Sequence, residues 1–360
     1  MRILNYSFII FFMAMLVFPL VFIDLSSDRI SVQENRMLAE RPKLTDMTRP
    51  IKFIREFDPW FKDSIGFREL FIRLYNKTNM MYSQDYYLDG QSIVFIGQQG
   101  HHFHTHYNQL LSIYRGKRWL DDTTLHELSI KLNQIKQYLN QKNIQFVVMI
   151  CVDKESIYPE YYPKFIIRGP EPTSLNVVTE YLYKHTEVDL FCIKERLLQE
   201  KENYLVFPKT GNMYELCHFN ETGSFFAYQE LMNHIKIYFP YLKSYSIEDI
   251  NIIYRYNGSS SVSLKKEATY SRIDSRFFND AIEFKNNNTN LPILLLLRDS
   301  YADWFHNYLP QHFSRTIFHH WETIEHLEEY IDLYDPNIVV FELAERNIPL
   351  FASAVINYKR

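Results

Sequence analysis

The sequence predicts an α/β fold built on a mainly parallel sheet, and three observations lead there. Short, almost wholly apolar runs recur at Phe146–Cys151, Leu291–Leu297 and Ile338–Phe341. Runs of that length fit strands buried on both faces, as in a parallel sheet covered by helices. Segments with apolar residues at helical spacing lie around them, among them Thr124–Gln141, Ser174–Lys184, Ile193–Lys201 and Ser224–Ile237. This alternation argues against an all-α or all-β architecture. Polar residues also follow the apolar runs directly: Asp153-Lys154-Glu155, Arg298-Asp299-Ser300 and Glu342 to Arg346. In an open α/β sheet those positions fall on the carboxyl edge, where ligands bind.

Composition narrows the class. A chain of 360 residues holds one large or two modest domains, and 46% hydrophobic residues are ample for a core. The net charge of −4 and the lack of a basic stripe or zinc-finger spacing give no nucleic-acid signal. The three cysteines, Cys151, Cys192 and Cys217, lack metal-ligand spacing and read as buried small hydrophobes. His101, His102, His104 and His106 cluster, but no carboxylate or cysteine completes a ligand set, so no metal is expected.

Taken in order, residues 1–25 read as a signal anchor. Phe8–Ile23 is continuous apolar sequence with one proline, and with Ile3–Ser7 it reaches about 20 residues, the length of a transmembrane helix. Arg2 favours a cytoplasmic N-terminus, and no convincing small-x-small cleavage site follows. Residues 26–90 form a connector, extended around Pro42 and Pro50, and a helical arm over Phe53–Ser83, where Asp63 and Arg68 are a candidate pair. Residues 91–355 form the main domain, opening with a hairpin-like unit at Ser92–Phe103. Val188–Leu190 and Tyr204–Phe207 read as short strands. Asn251–Asn290, a polar stretch with strand-like pieces such as Asn251–Tyr256, reads as a substrate-facing insertion. His319, His320 and Trp321 read as a link before a helix over Ile324–Tyr330.

Two residues carry candidate chemistry. Ser300 stands between a buried strand and an amphipathic segment with Trp304, Phe305, Tyr308 and Leu309 as its apolar positions. The N-terminus of a helix there would favour a developing oxyanion. The bland alternative is that Asp299 or Ser300 only caps the helix. His218 lies in a loop just before a helix, between Cys217 and Phe219-Asn220. A loop histidine suits proton transfer, although a structural role is the default.

Several blocks, in order, resemble the alginate O-acetyltransferase family of the AlgJ/AlgX type, a branch of the SGNH hydrolase-like proteins. They are ENRMLAERPKL at Glu34–Leu44, FDPWFKDSIGFR at Phe57–Arg68, FIGQQGHHF at Phe95–Phe103 and CVDKESIYPEYYP at Cys151–Pro163. RDSYADWFHNYLPQHFSR at Arg298–Arg315 and PNIVVFELAERNI at Pro336–Ile348 complete the series. The resemblance implies a three-layer SGNH hydrolase-like sandwich. It implies Ser300 as a nucleophile that takes up an acyl group and His218 as its base, with the Ser300 N–H and Asn220 on the oxyanion. Lys154, Arg298 and Tyr301 are further candidates for oxyanion or substrate contacts.

One position departs from the family. Its acid two residues before the histidine is here Leu216, leaving Glu215 and Asp189, or Asp153 and Glu345, as candidate acids. The expected protein is a single-pass membrane-anchored, extracytoplasmic O-acetyltransferase acting on an exported polysaccharide. It needs no cofactor and works with a membrane-bound acyl-donor partner. A degenerate glycan-binding or scaffolding member and a carbohydrate acetylesterase are the alternatives. A His218 within reach of Ser300 with a carboxylate behind the ring would favour the enzyme.

Overall fold

The computed structural model describes residues 2–26, 30–31, 36–43, 50–72, 74, 85–87, 93–104, 109–117, 119–164, 166–273 and 281–358. By its internal contacts the chain divides into two compact units, Met1–Phe95 and Ile96–Arg360.

In the first unit, helix α1 spans Arg2–Val21 and helix α2 spans Pro50–Ser64. Pro50 begins α2 rather than extending the connector, because a proline at a helix start gives up no hydrogen bond. Asp63 does pair with Arg68, at 3.4 Å, and also accepts the Ala39 N–H at 2.8 Å. The later part of the expected arm, 75–83, lies outside the described residues, as does His106.

Among the described residues no helix is long and apolar enough to cross a membrane, so the expected single-pass span is not supported. Helix α1 is 20 residues long, with Pro19 inside it. The far end of α1 is engaged within the unit: Phe18 stacks on Phe67 at 5.4 Å, and the Gly66 N–H donates to the Pro19 carbonyl at 3.0 Å.

The second unit is organised on a seven-stranded sheet. In chain order its strands are β1 (Gln145–Cys151), β2 (Asp189–Cys192), β3 (Tyr270–Ile273), β4 (Ile282–Asn286), β5 (Ile293–Arg298), β6 (Arg315–His320) and β7 (Ile338–Ala344). Across the sheet they run β3-β4-β6-β5-β7-β1-β2. The five strands from β6 to β2 are parallel, and β3 and β4 add on antiparallel at one edge. Every residue of β7 and all but the first of β1 are buried, as doubly covered strands require.

Helices α3 (Asp122–Gln141) and α7 (Glu221–Tyr238) both pack on β1 and cover opposite faces. Helices α4 (Ser174–His185) and α9 (Ile348–Asn357) join α3, while α5 (Lys194–Glu200) joins α7. The result is three layers. It fits the mainly parallel sandwich that the sequence predicts.

Several elements differ from expectation. His319 and His320 belong to β6, and the following helix is α8 (Leu327–Tyr334), preceded by a 3₁₀ stretch at Trp321–His326. Tyr204–Phe207 is not a strand. The Val206 N–H donates to the Tyr158 hydroxyl at 3.2 Å, and the Val206 carbonyl accepts the Asn220 N–H at 3.1 Å. That stretch therefore serves as a seat for the loop carrying His218. The stretch read as an insertion, 251–290, holds β3, β4 and all but the first residue of the hairpin Ile250–Tyr254/Ser260–Leu264.

Candidate active site

The site begins at the carboxyl end of β5. Asp299 caps the 3₁₀ segment Ser300–Asn307 by accepting the Tyr301 N–H at 2.9 Å. Its other oxygen accepts the Ala344 N–H at 2.7 Å and the Asn347 amide at 2.8 Å, while its own N–H donates to Glu342. Asp299 is buried and ties the turn to the end of β7. The capping that the sequence allowed to either residue thus falls to Asp299, and the Ser300 side chain is free for another partner. The segment is 3₁₀ rather than an α-helix, and its Tyr301 N–H is already satisfied. The Ser300 N–H has no acceptor among the described residues.

His218 comes to this turn from the loop before α7. Its Nε2 lies 2.7 Å from Ser300 Oγ, and its Nδ1 lies 2.6 Å from the Tyr214 carbonyl oxygen. A carbonyl only accepts, so Nδ1 carries the proton and Nε2 presents its lone pair to the serine hydroxyl. The imidazole is buried between the rings of Tyr214 and Tyr301, with centroids at 4.4 and 4.9 Å. Burial, and then the neighbouring Arg346 charge, lower its pKa below the ordinary value, which keeps the ring neutral near pH 7.

Among the described residues no carboxylate bonds to the ring at Nδ1, which faces the Tyr214 carbonyl. Leu216 is buried at the end of the short helix α6 (Met213–Leu216). Glu215 is spent on that helix: the Asn212 N–H donates to Glu215 Oε2 at 2.9 Å and the Glu215 N–H to Asn212 Oδ1 at 3.0 Å, a reciprocal capping box. Asp189 sits on β2, paired with His234 at 2.8 Å. Asp153 pairs with Arg346 and accepts the Tyr301 hydroxyl at 2.9 Å, while Glu345 accepts from Ser156 at 2.7 Å. All four carboxylates are therefore engaged elsewhere, and the Tyr214 carbonyl takes the place behind His218.

Other expected site residues have structural partners. Asn220 caps α7 through the Gly223 N–H, and its amide donates to the Leu205 and Gly258 carbonyls at 2.7 and 2.9 Å. Both amide protons are used, leaving none for an oxyanion. Buried Lys154 donates to the carbonyls of His102, Pro208 and Lys209, and burial lowers its pKa to about 7. Arg298 pairs with Asp303 at 2.5 Å. Tyr301 is buried, its hydroxyl held between Asp153 and Arg346. Cys217 Sγ faces His104 Nδ1 at 3.1 Å, and burial raises the thiol to about 12, so it stays protonated.

Arg346, which sequence reasoning did not single out, organises the floor. It reaches Asp153 beyond the end of β1, the Cys217 carbonyl beside His218 and the Tyr301 hydroxyl beside Ser300. Beside His218 opens a cleft of about 240 Å³. Aromatic Tyr214 and Trp304 line it together with Asn212, Arg255 and Ser259–Ser261 of the Ile250–Leu264 hairpin.

Comparisons with known proteins agree on the fold. The sequence matches no family model and no curated protein. Among solved structures, Bacillus cereus PatB1 with a sulfonyl adduct is 19% identical, covering 68% of this chain and 96% of that one, with a TM-score of 0.51. A DHHW family protein from Eubacterium siraeum is 11% identical, covering 74% of this chain and 95% of that one, at 0.52. The O-acetyltransferase domain of Pseudomonas putida AlgJ is also a structural neighbour, at 15% identity, 74% and 99% coverage and a TM-score of 0.46. The chain shares its fold with PatB1 and the DHHW family protein.

Proposed function

We propose that this chain is an O-acyltransferase that carries an acetyl group on Ser300 and passes it to hydroxyls of an exported polysaccharide. The observation that carries the reading is the 2.7 Å approach of His218 Nε2 to Ser300 Oγ, with Nδ1 bonded to a carbonyl. Serine at its own pKa is a poor nucleophile, and a neutral imidazole at this distance can take its proton as Oγ attacks the acyl carbonyl. His218 then returns that proton to the leaving group. In the second half, His218 takes the proton of the incoming sugar hydroxyl as that oxygen attacks the acyl-Ser300 ester, and hands it back to Ser300 Oγ. The Ser300 N–H is the available backbone donor for the oxyanion.

The order of sequence blocks supports the acyl-transfer class, and the solved PatB1 with its sulfonyl adduct suggests a probe for the serine. The cleft supports a carbohydrate acceptor, because aromatic Trp304 and Tyr214 line it beside polar Asn212, Arg255 and serines. In this reading the catalytic unit works outside the cytoplasm, the apolar N-terminal segment associates it with a membrane, and a membrane-bound partner supplies the acyl group.

The experiment is acetyl transfer from an activated acetyl ester to a panel of oligosaccharides by the full-length chain. Acetylated sugar formed by the wild type and not by Ser300→Ala is the expected result. Ester consumption that releases only acetate with every acceptor would make the protein an esterase. Glycan binding without ester consumption would make it a binding protein.

A further inference from the structure

A main-chain carbonyl orients a histidine only as well as its own peptide is held. The Tyr214 carbonyl belongs to α6, a helix of four residues, and the capping box holds that helix to its own loop. A second tie runs to the nucleophile. The Tyr214 hydroxyl donates to Asp303 Oδ2 at 3.0 Å, and Asp303 Oδ1 pairs with Arg298 at 2.5 Å. Asp303 is in the same 3₁₀ segment as Ser300, and Arg298 is the last residue of β5 and also donates to the Asp299 carbonyl at 3.2 Å.

We propose that Asp303 is a positioning residue of this site, clamping through Tyr214 the carbonyl that orients His218 to the segment that carries Ser300. The proposal rests on the acyl-transfer reading above. One residue thereby links both halves of the pair: Tyr214 supplies the carbonyl with its backbone and the tie with its side chain. The arrangement takes over the orienting part of the acid's work. The neutral carbonyl holds the Nδ1–H tautomer, and the charged Asp303–Arg298 pair fixes the carbonyl. Both Tyr214 and the Asp303 side chain are partly exposed, so water competes and the effect is moderate.

The test uses the full-length chain with Tyr214→Phe, Asp303→Ala, Asp303→Asn and the double variant Tyr214→Phe/Asp303→Ala. The rate of Ser300 modification by a sulfonyl fluoride is followed against pH beside thermal melting. The charged groups acting on His218 are Arg346, Asp299 and Asp153, with the Tyr214 and Tyr301 rings against it, and none of the three charges is altered. Tyr214→Phe and Asp303→Ala are each expected to slow modification roughly tenfold at the plateau, since small misplacements at a reacting pair are costly. The double variant is expected to lose no more than either single one, because one link is broken twice. Asp303→Asn, which keeps an acceptor, is expected to recover part of the rate. The midpoint of the acid limb is expected to move to lower pH, because the carbonyl bond that favours the charged ring is loosened.

Losses that only track the unfolded fraction, with an unmoved midpoint, would overturn the clamp while leaving the acyl-transfer reading intact. Additive losses in the double variant would also overturn it. Failure of the wild type itself to be modified at Ser300 would overturn both.

Discussion

A histidine backed by a neutral carbonyl holds its tautomer but gains little stabilisation when it becomes charged, unlike one backed by a carboxylate. At His218 burial and the Arg346 charge act further against the charged ring. The rate of Ser300 acylation should therefore rise with pH through a midpoint below 6.5, the ordinary value, and stay level above it. The sign for stability agrees. A histidine whose folded pKa is depressed contributes stability above its unfolded value and loses it as pH falls through the folded one. A rate profile with its midpoint above 6.5 would mean that an anion, not the carbonyl, governs the ring.

At this scale part of the site was legible. The serine and the histidine stand out as polar residues at a strand end and a helix entrance. Glu215 was read as a candidate acid, although Asn212-x-x-Glu215 has the spacing of a capping box ahead of a helical turn, the signal that would have excluded it. The role of the Tyr214 carbonyl was not legible, because a backbone acceptor leaves no signature in residue type.

Among the elements, α7 shows how one residue can belong to the cleft wall without belonging to the chemistry. Asn220 lines the cleft, but its oxygen caps the helix and its amide closes two carbonyls. Asn220→Ala should lower stability by about 1–2 kcal/mol, read from the denaturant midpoint, and leave the modification rate of folded molecules unchanged. A large rate loss at full stability would return Asn220 to the oxyanion role.

The strands legible from sequence are β1, β5 and β7, whose burial makes a continuous apolar run, and the short β2, read at Val188–Leu190. β6 was missed because Arg315-Thr316-Ile317-Phe318-His319-His320 carries polar residues that find partners: Arg315 pairs with Glu283 and His319 bonds with the Tyr334 hydroxyl. β3 and β4 were missed because they read as polar sequence: β3 lies at the sheet edge with Ser271 and Arg272 exposed, and β4 buries Glu283 and Asn286, which find partners in Arg315 and in the Pro310 and Gln311 carbonyls. Tyr204–Phe207 was read as a strand from its apolar content, yet its backbone bonds go to a tyrosine and to the His218 loop.

For the molecule as a whole, the second unit gathers its polar strand ends around one buried cation. Arg346 joins Asp153, the Cys217 carbonyl and Tyr301, so the ends of β1 and β7, the His218 loop and the Ser300 turn meet at one guanidinium. Breaking a buried pair strands the partner charge. Arg346→Met should cost about 3–5 kcal/mol. Adding Asp153→Leu should recover part of that loss, because the carboxylate no longer needs a partner. Equal loss in the double variant would show that Arg346 acts through the carbonyl and tyrosine rather than the ion pair.

The central claim is that Ser300 and His218 form a working nucleophile–base pair without a carboxylate. Intact-mass and peptide mapping of the full-length chain after treatment with a sulfonyl fluoride tests it most directly. The account predicts one adduct on the Ser300 peptide, absent in Ser300→Ala and slowed at least ~100-fold in His218→Ala. No adduct on Ser300, or one that forms as fast without His218, would contradict it.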